Sequence, residues 1–408
     1  MMNYKETLKY IHSLGNFSLP ATLDRIKAVM LALDNPQRNF KAVHIAGTNG
    51  KGSTAAMLAS VFKTEGYKTA LFTSPFIIDF RERIQINGEF ISENDLVRLS
   101  ERVINTNIKL TEFEFITAVA FLYFSEQKCQ VAVIETGLGG RLDATNVLDN
   151  KAVSVITKIG LDHTAILGDT IEKIANEKCG IIGESPTVTV ANQDGAALEV
   201  IKRSANKLTL PDKSKLEVLK SDFSGNEFFY KGVKYKTRLG GVYQIENALV
   251  AIETVFESGI YVSYENLLKG IENASFPARL EGFLDGRIVL DGAHNPDGAA
   301  ALAQEIKTSK KPIVAIIGMM QDKDIDEVLK LTLPNFDSVI TVKAAEMPRA
   351  IDAKLLRKKA QKYSKNVICA SDYKEALKLA LAIDDCLIFI FGSLYLASNI
   401  RPLLLELK

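Results

Sequence analysis

Short runs of consecutive apolar residues alternate along the chain with longer segments whose apolar residues recur at helical spacing. The first such pair is a buried strand predicted at residues 42–46 and a helix predicted at residues 55–62. The same rhythm recurs through most of the sequence. Strands that alternate with helices in this way are typical of parallel βαβ units, so the pattern predicts an α/β protein.

The other predicted elements follow from the same two periods. Further strands are predicted at residues 68–72, 131–134, 153–157, 288–290, 313–317, 338–342 and 386–391. Further helices are predicted at residues 4–13, 23–33, 113–124, 171–182, 243–256, 296–308 and 352–362. Residues 81–91 are predicted to form a hairpin that turns on Asn87 and Gly88. Alternation at residues 216–219 and 227–235 predicts a small antiparallel sheet.

The length of the chain predicts two domains, because 408 residues are too many for one ordinary core. The boundary is placed near Pro277, where a second series of strands and helices begins. Residues 1–277 are predicted to form a phosphate-loop domain with a mainly parallel sheet and the small antiparallel sheet. Residues 278–408 are predicted to form a Rossmann-like α/β domain.

Composition and charge narrow the class of protein. Apolar residues make up 47%, charged residues 24%, and the formal net charge is +1, which gives no attraction for nucleic acid. The four cysteines have no C-x-x-C spacing, so neither a zinc site nor a disulfide framework is indicated. The N-terminus is polar, and no run of about 18 apolar residues occurs. The sequence therefore predicts a soluble, cytoplasmic enzyme or ATPase that binds neither nucleic acid nor a membrane.

The segment between the first strand and the first helix is rich in glycine. It reads GTNGKGS at residues 47–53, in the strand–loop–helix context that a phosphate-binding loop requires. Gly50 and Gly52 let the backbone approach phosphate oxygens, Lys51 adds a positive charge, and helix N-terminal amides donate hydrogen bonds. The loop departs from G-x-x-x-x-G-K-[ST] in two ways: it is shorter, and Gly52 separates Lys51 from the hydroxyl of Ser53. A structural turn is the alternative, but strand, lysine and hydroxyl together favour nucleotide binding.

Polar residues follow three of the predicted strands. Ser74, Glu135 and His163 each lie at or just beyond the carboxyl end of a strand, where an open parallel sheet binds its ligand. A carboxylate in the position of Glu135, beside a phosphate loop, is the expected way to hold Mg²⁺. A solvated strand end or a helix cap is the alternative for Glu135. Because Mg²⁺ prefers oxygen ligands, position alone favours a structural, hydrogen-bonded role for His163.

Two further polar positions remain open on their pattern alone. Lys178 lies in a fairly apolar helix, where a solvated or snorkelling lysine is the favoured interpretation. Asp291, His294 and Asn295 follow a strand and precede a helix. They could cap that helix or reach a ligand, and the pattern favours neither.

The phosphate loop resembles that of folylpolyglutamate synthases and dihydrofolate synthases, which are members of the Mur ligase superfamily. Many further blocks agree in order along nearly the whole chain, with Phe76 standing where His is frequent and Cys179 where Ala is frequent. These blocks are TSP at 73–75, ERI at 82–84, NG at 87–88, TEFE at 111–114, TA at 117–118, ETGLGGRLDATN at 135–146, LDH at 161–163, EK at 177–178, YQ at 243–244, NA at 247–248, PARLE at 277–281, DGAHNP at 291–296, GMM at 318–320, DKD at 322–324 and GSLY at 392–395.

The resemblance implies an ATP-dependent ligase that adds L-glutamate to a folate through an acyl phosphate, with ATP and two Mg²⁺ ions as cofactors. Tetrahydrofolate and dihydropteroate are the implied acceptors, and a monomer is the implied state. The implied catalytic residues are Lys51, Lys178 and His294, with Lys178 carbamylated so that it becomes a metal ligand. The implied residue sets are Thr48, Asn49, Gly50, Lys51, Gly52, Ser53, Asn247, Arg279 and Asp291 for ATP; Ser74, Glu135, His163 and Lys178 for Mg²⁺; and Arg83, Ala21, Thr22, Leu23, Thr111, Leu142, Asp143 and Ala144 for the acceptor.

Two other functions compete with this one. A cell-wall Mur ligase shares the chemistry, but it would carry a separate N-terminal domain, and only about 40 residues precede the first predicted strand. A nucleotide-dependent switch would need an [NT]-K-x-D segment to read guanine, and TKIG at residues 157–160 lacks the aspartate. The sequence leaves open whether the acceptor is dihydropteroate, a folate or both.

Overall fold

The computed structural model describes residues 2–15, 19–307 and 311–407. Contacts divide the chain into two compact units. Unit 1 comprises Met1–Leu216 and Glu246–Ala274, and unit 2 comprises Glu217–Ile245 and Ser275–Lys408. The predicted boundary near Pro277 lies just after the end of unit 1, but residues 217–245 belong to unit 2 and not to the first domain as predicted.

The physical reason for this difference is the packing of residues 217–245. The ring of Phe223 meets that of Phe389 edge to face, with 6.4 Å between the ring centroids. The backbone N–H of Val242 donates a hydrogen bond of 2.8 Å to the Glu305 carboxylate. The small sheet therefore shares an apolar core with the C-terminal part of the chain.

Unit 1 is built on one eight-stranded sheet with the order β4-β3-β2-β5-β1-β6-β7-β8. The strands β2, β5, β1, β6, β7 and β8 run parallel, and the hairpin β3–β4 adds an antiparallel edge. The strands are β1 Lys41–Ala46, β2 Thr69–Phe72, β3 Ile84–Ile86, β4 Glu89–Phe90, β5 Val131–Glu135, β6 Lys151–Ile156, β7 Thr187–Thr189 and β8 Leu208–Thr209. The carboxyl ends of β1, β2, β5 and β6 therefore lie along one edge of the sheet.

Helices cover this sheet, and the apolar α5 is buried along most of its length. No helix among the residues that the structure describes is both long and apolar enough to span a membrane. The helices are α1 Tyr4–Ser13, α2 Asp24–Ala32, α3 Lys51–Glu65, α4 Glu93–Ile104, α5 Glu112–Glu126, α6 Thr164–Leu167, α7 Ile171–Cys179, α8 Gly195–Ser204 and α10 Tyr264–Asn273, with α9 Val242–Glu257 running across the division between the units.

Unit 2 contains the small sheet, in the order β11-β10-β9, and a six-stranded sheet in the order β12-β13-β17-β14-β15-β16. The larger sheet is parallel except for β12. The strands are β9 Leu216–Asp222, β10 Gly225–Tyr230, β11 Val233–Thr237, β12 Glu281–Phe283, β13 Ile288–Leu290, β14 Ile313–Ile317, β15 Ser338–Thr341, β16 Val367–Cys369 and β17 Leu387–Phe391. The helices are α11 Pro296–Ile306, α12 Ile325–Thr332, α13 Ala353–Ala360, α14 Tyr373–Leu381 and α15 Leu394–Glu406.

The predicted α/β class, with a mainly parallel sheet, a small antiparallel sheet and a C-terminal α/β unit, is confirmed. Residues 81–83 differ from the prediction, because Phe80–Arg83 forms a 3-10 helix capped by Asp79 and the hairpin begins at β3. The turn at Asn87 and Gly88 is confirmed, with φ of 52° and 81°. Residue 308, the predicted end of α11, lies outside the described residues.

Candidate active site

The phosphate loop connects β1 to α3 and depends on two glycines. Gly47 has φ +155°, and a Cβ there would lie 1.8 Å from Thr157 Oγ1. Gly50 has φ +89°, and a Cβ there would lie 2.3 Å from Asn247 Oδ1. Gly50 is also the N-cap of α3 and offers no side chain to the helix. The N-terminus of α3 therefore has no capping side chain, which suits the binding of an anion, and Asn247 lies against the loop.

The loop is fastened to the segment that follows β6. The backbone N–H groups of Thr48 and Asn49 donate to the Lys158 carbonyl at 2.8 and 3.1 Å. The Thr48 hydroxyl donates to the Gly160 carbonyl at 3.0 Å and accepts from the Gly160 N–H at 3.1 Å. The side chain of Thr48 thus holds the loop in place. This structural role could not be predicted from the position of Thr48 in the sequence.

Lys51, Glu135 and Ser74 come together at the carboxyl edge of the sheet. Lys51 Nζ donates to the Gly47 carbonyl at 3.1 Å and lies 3.9 Å from Glu135 Oε1. The Ser74 backbone N–H donates to Glu135 Oε2 at 3.2 Å. Glu135 is 3% exposed, so its charge interacts strongly with whatever the loop binds.

This cluster fits a magnesium ion. Mg²⁺ is usually held by one or two carboxylates together with hydroxyls, waters and nucleotide phosphates. A buried carboxylate beside a phosphate loop, with the Ser74 residue against it, meets that requirement. Within the described ranges, no group of three or more His, Cys, Asp and Glu side chains is arranged to hold a metal. The protein would therefore supply few of the metal's ligands, from Glu135 and Ser74.

His163 occupies the N-cap position of the short helix α6 and has φ +50°. Its backbone N–H donates to Asp162 Oδ1 at 2.9 Å, and its Nε2 lies 3.9 Å from Asp162 Oδ2. The imidazole is about half exposed. These contacts fit the structural interpretation of His163, and its role as a metal ligand stays a prediction.

Lys178 is buried, and its Nζ donates to the Gly47 carbonyl at 2.7 Å. The snorkelling interpretation is therefore wrong, because the helix turns this lysine inward beneath the phosphate loop. Burial, with the nearby charge of Lys51 as a smaller cause, lowers the pKa of Lys178 to about 7. A large fraction of the amine is thus neutral near pH 7 and can act as a nucleophile.

Replacing Lys178 with Met will stabilise the protein at neutral pH. The folded-state pKa of about 7 lies below the ordinary value of 10.5, so the unfolded chain binds more protons between these values. The stability of the wild type therefore rises with pH across this window, by roughly 1 kcal/mol per pH unit for one such group. The measurement is the free energy of unfolding in urea, for the wild type and for Lys178→Met, in CO₂-free buffer. It is repeated at about four pH values between roughly 7.5 and 9.5. A stability difference independent of pH would contradict it.

The loop at residues 136–146 packs against the end of α7, next to Lys178. The Arg141 N–H donates to the Glu177 carbonyl at 2.7 Å, and Asn146 Nδ2 donates to the Gly180 carbonyl at 2.9 Å. A Cβ on Gly140 would lie 2.6 Å from the Lys178 carbonyl oxygen. This contact is with backbone, so no side chain can move away to relieve it.

Replacing Gly140 with Ala will therefore destabilise the protein by about 1 to 3 kcal/mol, the usual cost of overpacking. It will also lower activity, because the end of α7 carries Lys178. Urea unfolding and turnover are the measurements. Gly183→Ala is the matched control, since nothing lies within 4 Å of a Cβ there. Equal stability of the two variants would contradict the account.

The predicted acceptor residues are partly brought together. The Thr111 hydroxyl caps α5 by accepting a hydrogen bond from the Glu114 N–H. The Glu114 carboxylate in turn accepts a hydrogen bond of 2.7 Å from the Thr111 N–H. Arg25 donates to Glu114 at 2.9 Å and to the Pro20 carbonyl at 2.8 Å. The segment that contains Ala21, Thr22 and Leu23 is therefore tied to the start of α5. The T-x-x-E capping box at residues 111–114 was the sequence signal for Glu114, and Arg25 had none.

The other acceptor residues lie in different surroundings. The Arg83 guanidinium stacks over the rings of Phe76 and Phe80, 5.2 and 5.5 Å from their centroids. Asp143 is buried and accepts hydrogen bonds from the backbone N–H groups of Leu138 and Thr145. The Asp143 carboxylate thus faces its own loop. Contacts of an acceptor with Leu142 and Ala144 stay a prediction.

In unit 2, Asp291 follows β13 and is held by several donors. It accepts from the N–H groups of Leu280 and Ala293 at 2.9 and 2.8 Å and from the Tyr243 hydroxyl at 3.4 Å. Burial raises the pKa of Asp291, and the charge of Arg279 opposes this rise. Asn295 caps α11 through the Gly298 N–H, so the capping interpretation is confirmed for this residue.

Arg279 and His294 lie on either side of this segment of unit 2. Arg279 Nη1 donates to the Ala278 carbonyl at 3.2 Å, and the guanidinium lies 5.8 Å from the Phe276 ring centroid. His294 Nδ1 is 2.8 Å from the Gly292 carbonyl oxygen. Because a carbonyl only accepts, Nδ1 carries the proton, and Nε2 is the acceptor in the neutral imidazole.

The comparisons with known proteins first define the class. Residues 45–255 match the Mur ligase middle domain, and residues 279–394 match the Mur ligase glutamate ligase domain. Both parts of the chain are thereby accounted for, whereas a nucleotide-dependent switch would leave the second part unexplained. The chain is a Mur ligase.

Full-length relatives then give the family. The chain is 36% identical to folylpolyglutamate synthase of Lacticaseibacillus casei, with 99% of both chains covered. It is 35% identical to dihydrofolate synthase/folylpolyglutamate synthase of Bacillus subtilis, with 98% of both covered. The structure of Mycobacterium tuberculosis folylpolyglutamate synthase complexed with ADP superposes with a TM-score of 0.88 at 30% identity, over 98% of both chains. The chain belongs to the folylpolyglutamate synthase and dihydrofolate synthase family.

Proposed function

We propose that the chain is an ATP-dependent carboxylate–amine ligase that adds L-glutamate to tetrahydrofolate and to dihydropteroate. The observation that carries this proposal is the cluster of Lys51, Glu135 and Lys178 around the phosphate loop. It lies in a chain that matches, along its full length, relatives named for these two activities. The Bacillus relative bears both names, which supports both acceptors for this chain.

The chemistry requires activation of the acceptor carboxylate, because oxide is too poor a leaving group for attack by an amine. Transfer of the γ-phosphoryl group of ATP to the carboxylate gives an acyl phosphate and ADP. The glutamate amine then attacks the acyl carbon, and the tetrahedral intermediate collapses to an amide and inorganic phosphate. The amides of α3 and the Lys51 ammonium neutralise the charge that develops on the transferred group.

Two of the proposed metal ligands, Glu135 and Lys178, lie beside the same loop. Ser74, Glu135 and His163 are assigned to one Mg²⁺, and carbamylated Lys178 to a second. Bound Mg²⁺ would supply further neutralisation of phosphate charge. The neutral Lys178 amine attacks CO₂ through its nitrogen lone pair and loses one proton, which yields a carbamate with two oxygen donors. Its buried position and lowered pKa support this modification.

The remaining assignments follow the same family. We assign to ATP binding the residues Thr48, Asn49, Gly50, Gly52, Ser53, Asn247, Arg279 and Asp291. His294 is assigned as a catalytic residue. Arg83 is assigned to a carboxylate of the acceptor, and its stacking on two rings supports this role by holding the guanidinium in one orientation. The ligase is proposed to act as a monomer in the cytoplasm.

Phosphate release with ATP, Mg²⁺ and L-glutamate tests the proposal when dihydropteroate and tetrahydrofolate are compared as acceptors. Release with both is the expected result. Release with tetrahydrofolate alone would restrict the protein to lengthening glutamate tails. If no phosphate is released with either acceptor but phosphate is released with a cell-wall peptide precursor, the folate assignment is overturned in favour of a cell-wall Mur ligase.

A further inference from the structure

An unexpected polar side chain lies in the centre of the unit 1 sheet. His44 is in β1, which pairs with β5 on one side and β6 on the other, and it is fully buried. Its Nε2 lies 2.8 Å from the hydroxyl oxygen of Thr145. Burying an imidazole in an otherwise apolar strand is costly unless it forms hydrogen bonds, so the contact with Thr145 needs an explanation.

The Thr145 hydroxyl in turn contacts a buried carboxylate. It donates to Asp143 Oδ1, which also accepts the Thr145 backbone N–H at 3.0 Å. Asp143 Oδ2 accepts the Leu138 N–H at 2.9 Å. His44, Thr145 and Asp143 therefore form a continuous chain of hydrogen bonds from the central strand to the start of the loop at residues 136–146.

The direction of these hydrogen bonds follows from the donor count. Burial raises the pKa of Asp143, but the N–H groups of Leu138 and Thr145 that donate to it favour the ionised carboxylate. The single proton of the Thr145 hydroxyl then goes to Asp143, so the Thr145 oxygen accepts from His44. The proton of the neutral His44 imidazole is therefore on Nε2. His44 Nδ1 is buried without a hydrogen-bond partner among the described residues, which suits a bare acceptor better than an orphaned N–H donor. Burial also lowers the pKa of His44 well below its ordinary value, which keeps the ring neutral.

The pairing of β1 with β5 and this chain of hydrogen bonds together hold the backbone on both sides of Glu135. His44 pairs in register with Ile134, and Ile45 pairs with Glu135, so β1 aligns the strand that ends in Glu135. Asp143 binds the Leu138 N–H, three residues beyond Glu135 in the sequence, and so sets the path by which the chain leaves β5. His44 holds Asp143 in this position through Thr145.

We propose that His44 and Thr145 are positioning residues, which orient Glu135 toward the phosphate loop by fixing Asp143 and the loop that follows β5. The proposal rests on the proposed role of Glu135 in holding Mg²⁺. Neither residue touches the nucleotide or the acceptor in this account. Their effect is therefore on the Mg²⁺-dependent part of nucleotide binding and not on recognition of glutamate.

The first test is the imidazole tautomer of the unmodified protein. The chain has four histidines, so the nitrogen signals in a long-range ¹⁵N–¹H NMR spectrum are few enough to assign by replacing His12, His163 and His294 in turn. The expected result is an Nε2–H tautomer for His44. An Nδ1–H tautomer would overturn the proposal, because the Thr145 hydroxyl could not then accept from His44.

The second test uses two matched pairs of variants. Thr145→Val removes the hydroxyl and keeps the shape, whereas Thr145→Ser keeps the hydroxyl. His44→Gln can place an amide N–H near the Nε2 position, whereas the shorter Asn in His44→Asn cannot. Calorimetry measures the affinity for ADP with and without Mg²⁺, which is a readout that needs no folate turnover.

Thr145→Val and His44→Asn are expected to reduce the Mg²⁺-dependent gain in ADP affinity about tenfold, within the range for partners that orient metal ligands. Thr145→Ser and His44→Gln are expected to retain most of it, and ADP affinity without Mg²⁺ is expected to change little. Equal losses within each pair, or an unchanged gain in Thr145→Val, would overturn the proposal. Failure of wild-type turnover with folates, with the Mg²⁺-dependent gain intact, would count against the proposed function alone.

Discussion

Lys51→Ala is expected to lower glutamate-dependent release of ADP by roughly 10²- to 10³-fold. Lys51 lies at the first position of α3, and its Nζ is held by the Gly47 carbonyl and faces Glu135. The nearby Lys178 is not expected to replace the lost charge, because it is buried, its pKa is lowered to about 7, and it is proposed to be carbamylated. Steady-state ADP release with tetrahydrofolate as acceptor is the measurement.

Lys63→Ala is the matched control for this variant. Lys63 lies in the last turn of the same helix and is exposed, so it tests the loss of a lysine from α3 without disturbing the phosphate loop. Its turnover is expected to equal that of the wild type. A Lys51→Ala enzyme with wild-type turnover would show that the loop does not bind the reacting phosphate.

Glu135→Gln will lower turnover about 100-fold, which corresponds to about 3 kcal/mol of transition-state stabilisation. The amide keeps the size and the hydrogen bond from the Ser74 N–H but loses the charge that a Mg²⁺ ion needs. The concentration of Mg²⁺ at half-maximal activity will rise, whereas the KM for glutamate will stay nearly constant. A titration of activity against Mg²⁺ measures both quantities.

Glu89→Gln is the control for the loss of one carboxylate, because Glu89 is exposed in β4 at the edge of the same sheet. It is expected to leave the Mg²⁺ titration unchanged. If Glu135→Gln also leaves that titration unchanged, Glu135 does not hold the metal.

The strands and helices around the phosphate loop were predictable because their apolar runs are long and bounded by glycine. The strand at residues 42–46 and the helix after it are confirmed as β1 and α3. The helix begins at Lys51, earlier than predicted. The residue before it, Gly50, has a left-handed conformation and is the N-cap of the helix. Hydrophobic periodicity carries no information on such a conformation.

Membership of residues 217–245 in unit 2 was not predictable from the pattern. Alternation in β9 to β11 shows which face of a strand is apolar but not which part of the chain packs against that face. Residues distant in the sequence, such as Phe389, pack against this part of the chain through Phe223. A boundary drawn only from the order of elements therefore assigned this sheet by its place in the sequence, whereas the contacts group it with unit 2.

The chemistry of Lys178 and His44 was hidden for a related reason. Helical spacing allows Lys178 to face solvent, and only the tertiary structure shows that it points toward Gly47. His44 reads as one polar residue in an apolar strand, and its partners Thr145 and Asp143 lie about 100 residues later in the sequence. By contrast, the position of Glu135 beside Lys51 was predictable, since the carboxyl ends of parallel strands meet at one edge of the sheet.

The most direct test of the account follows the acceptor oxygen during one round of synthesis. Tetrahydrofolate monoglutamate labelled with oxygen-18 in its γ-carboxylate is incubated with ATP, Mg²⁺ and L-glutamate, and the inorganic phosphate is examined by mass spectrometry. An acyl phosphate mechanism predicts one labelled oxygen in each phosphate released, together with an acceptor lengthened by one glutamate. Unlabelled phosphate, or ATP hydrolysis without a lengthened acceptor, would contradict it.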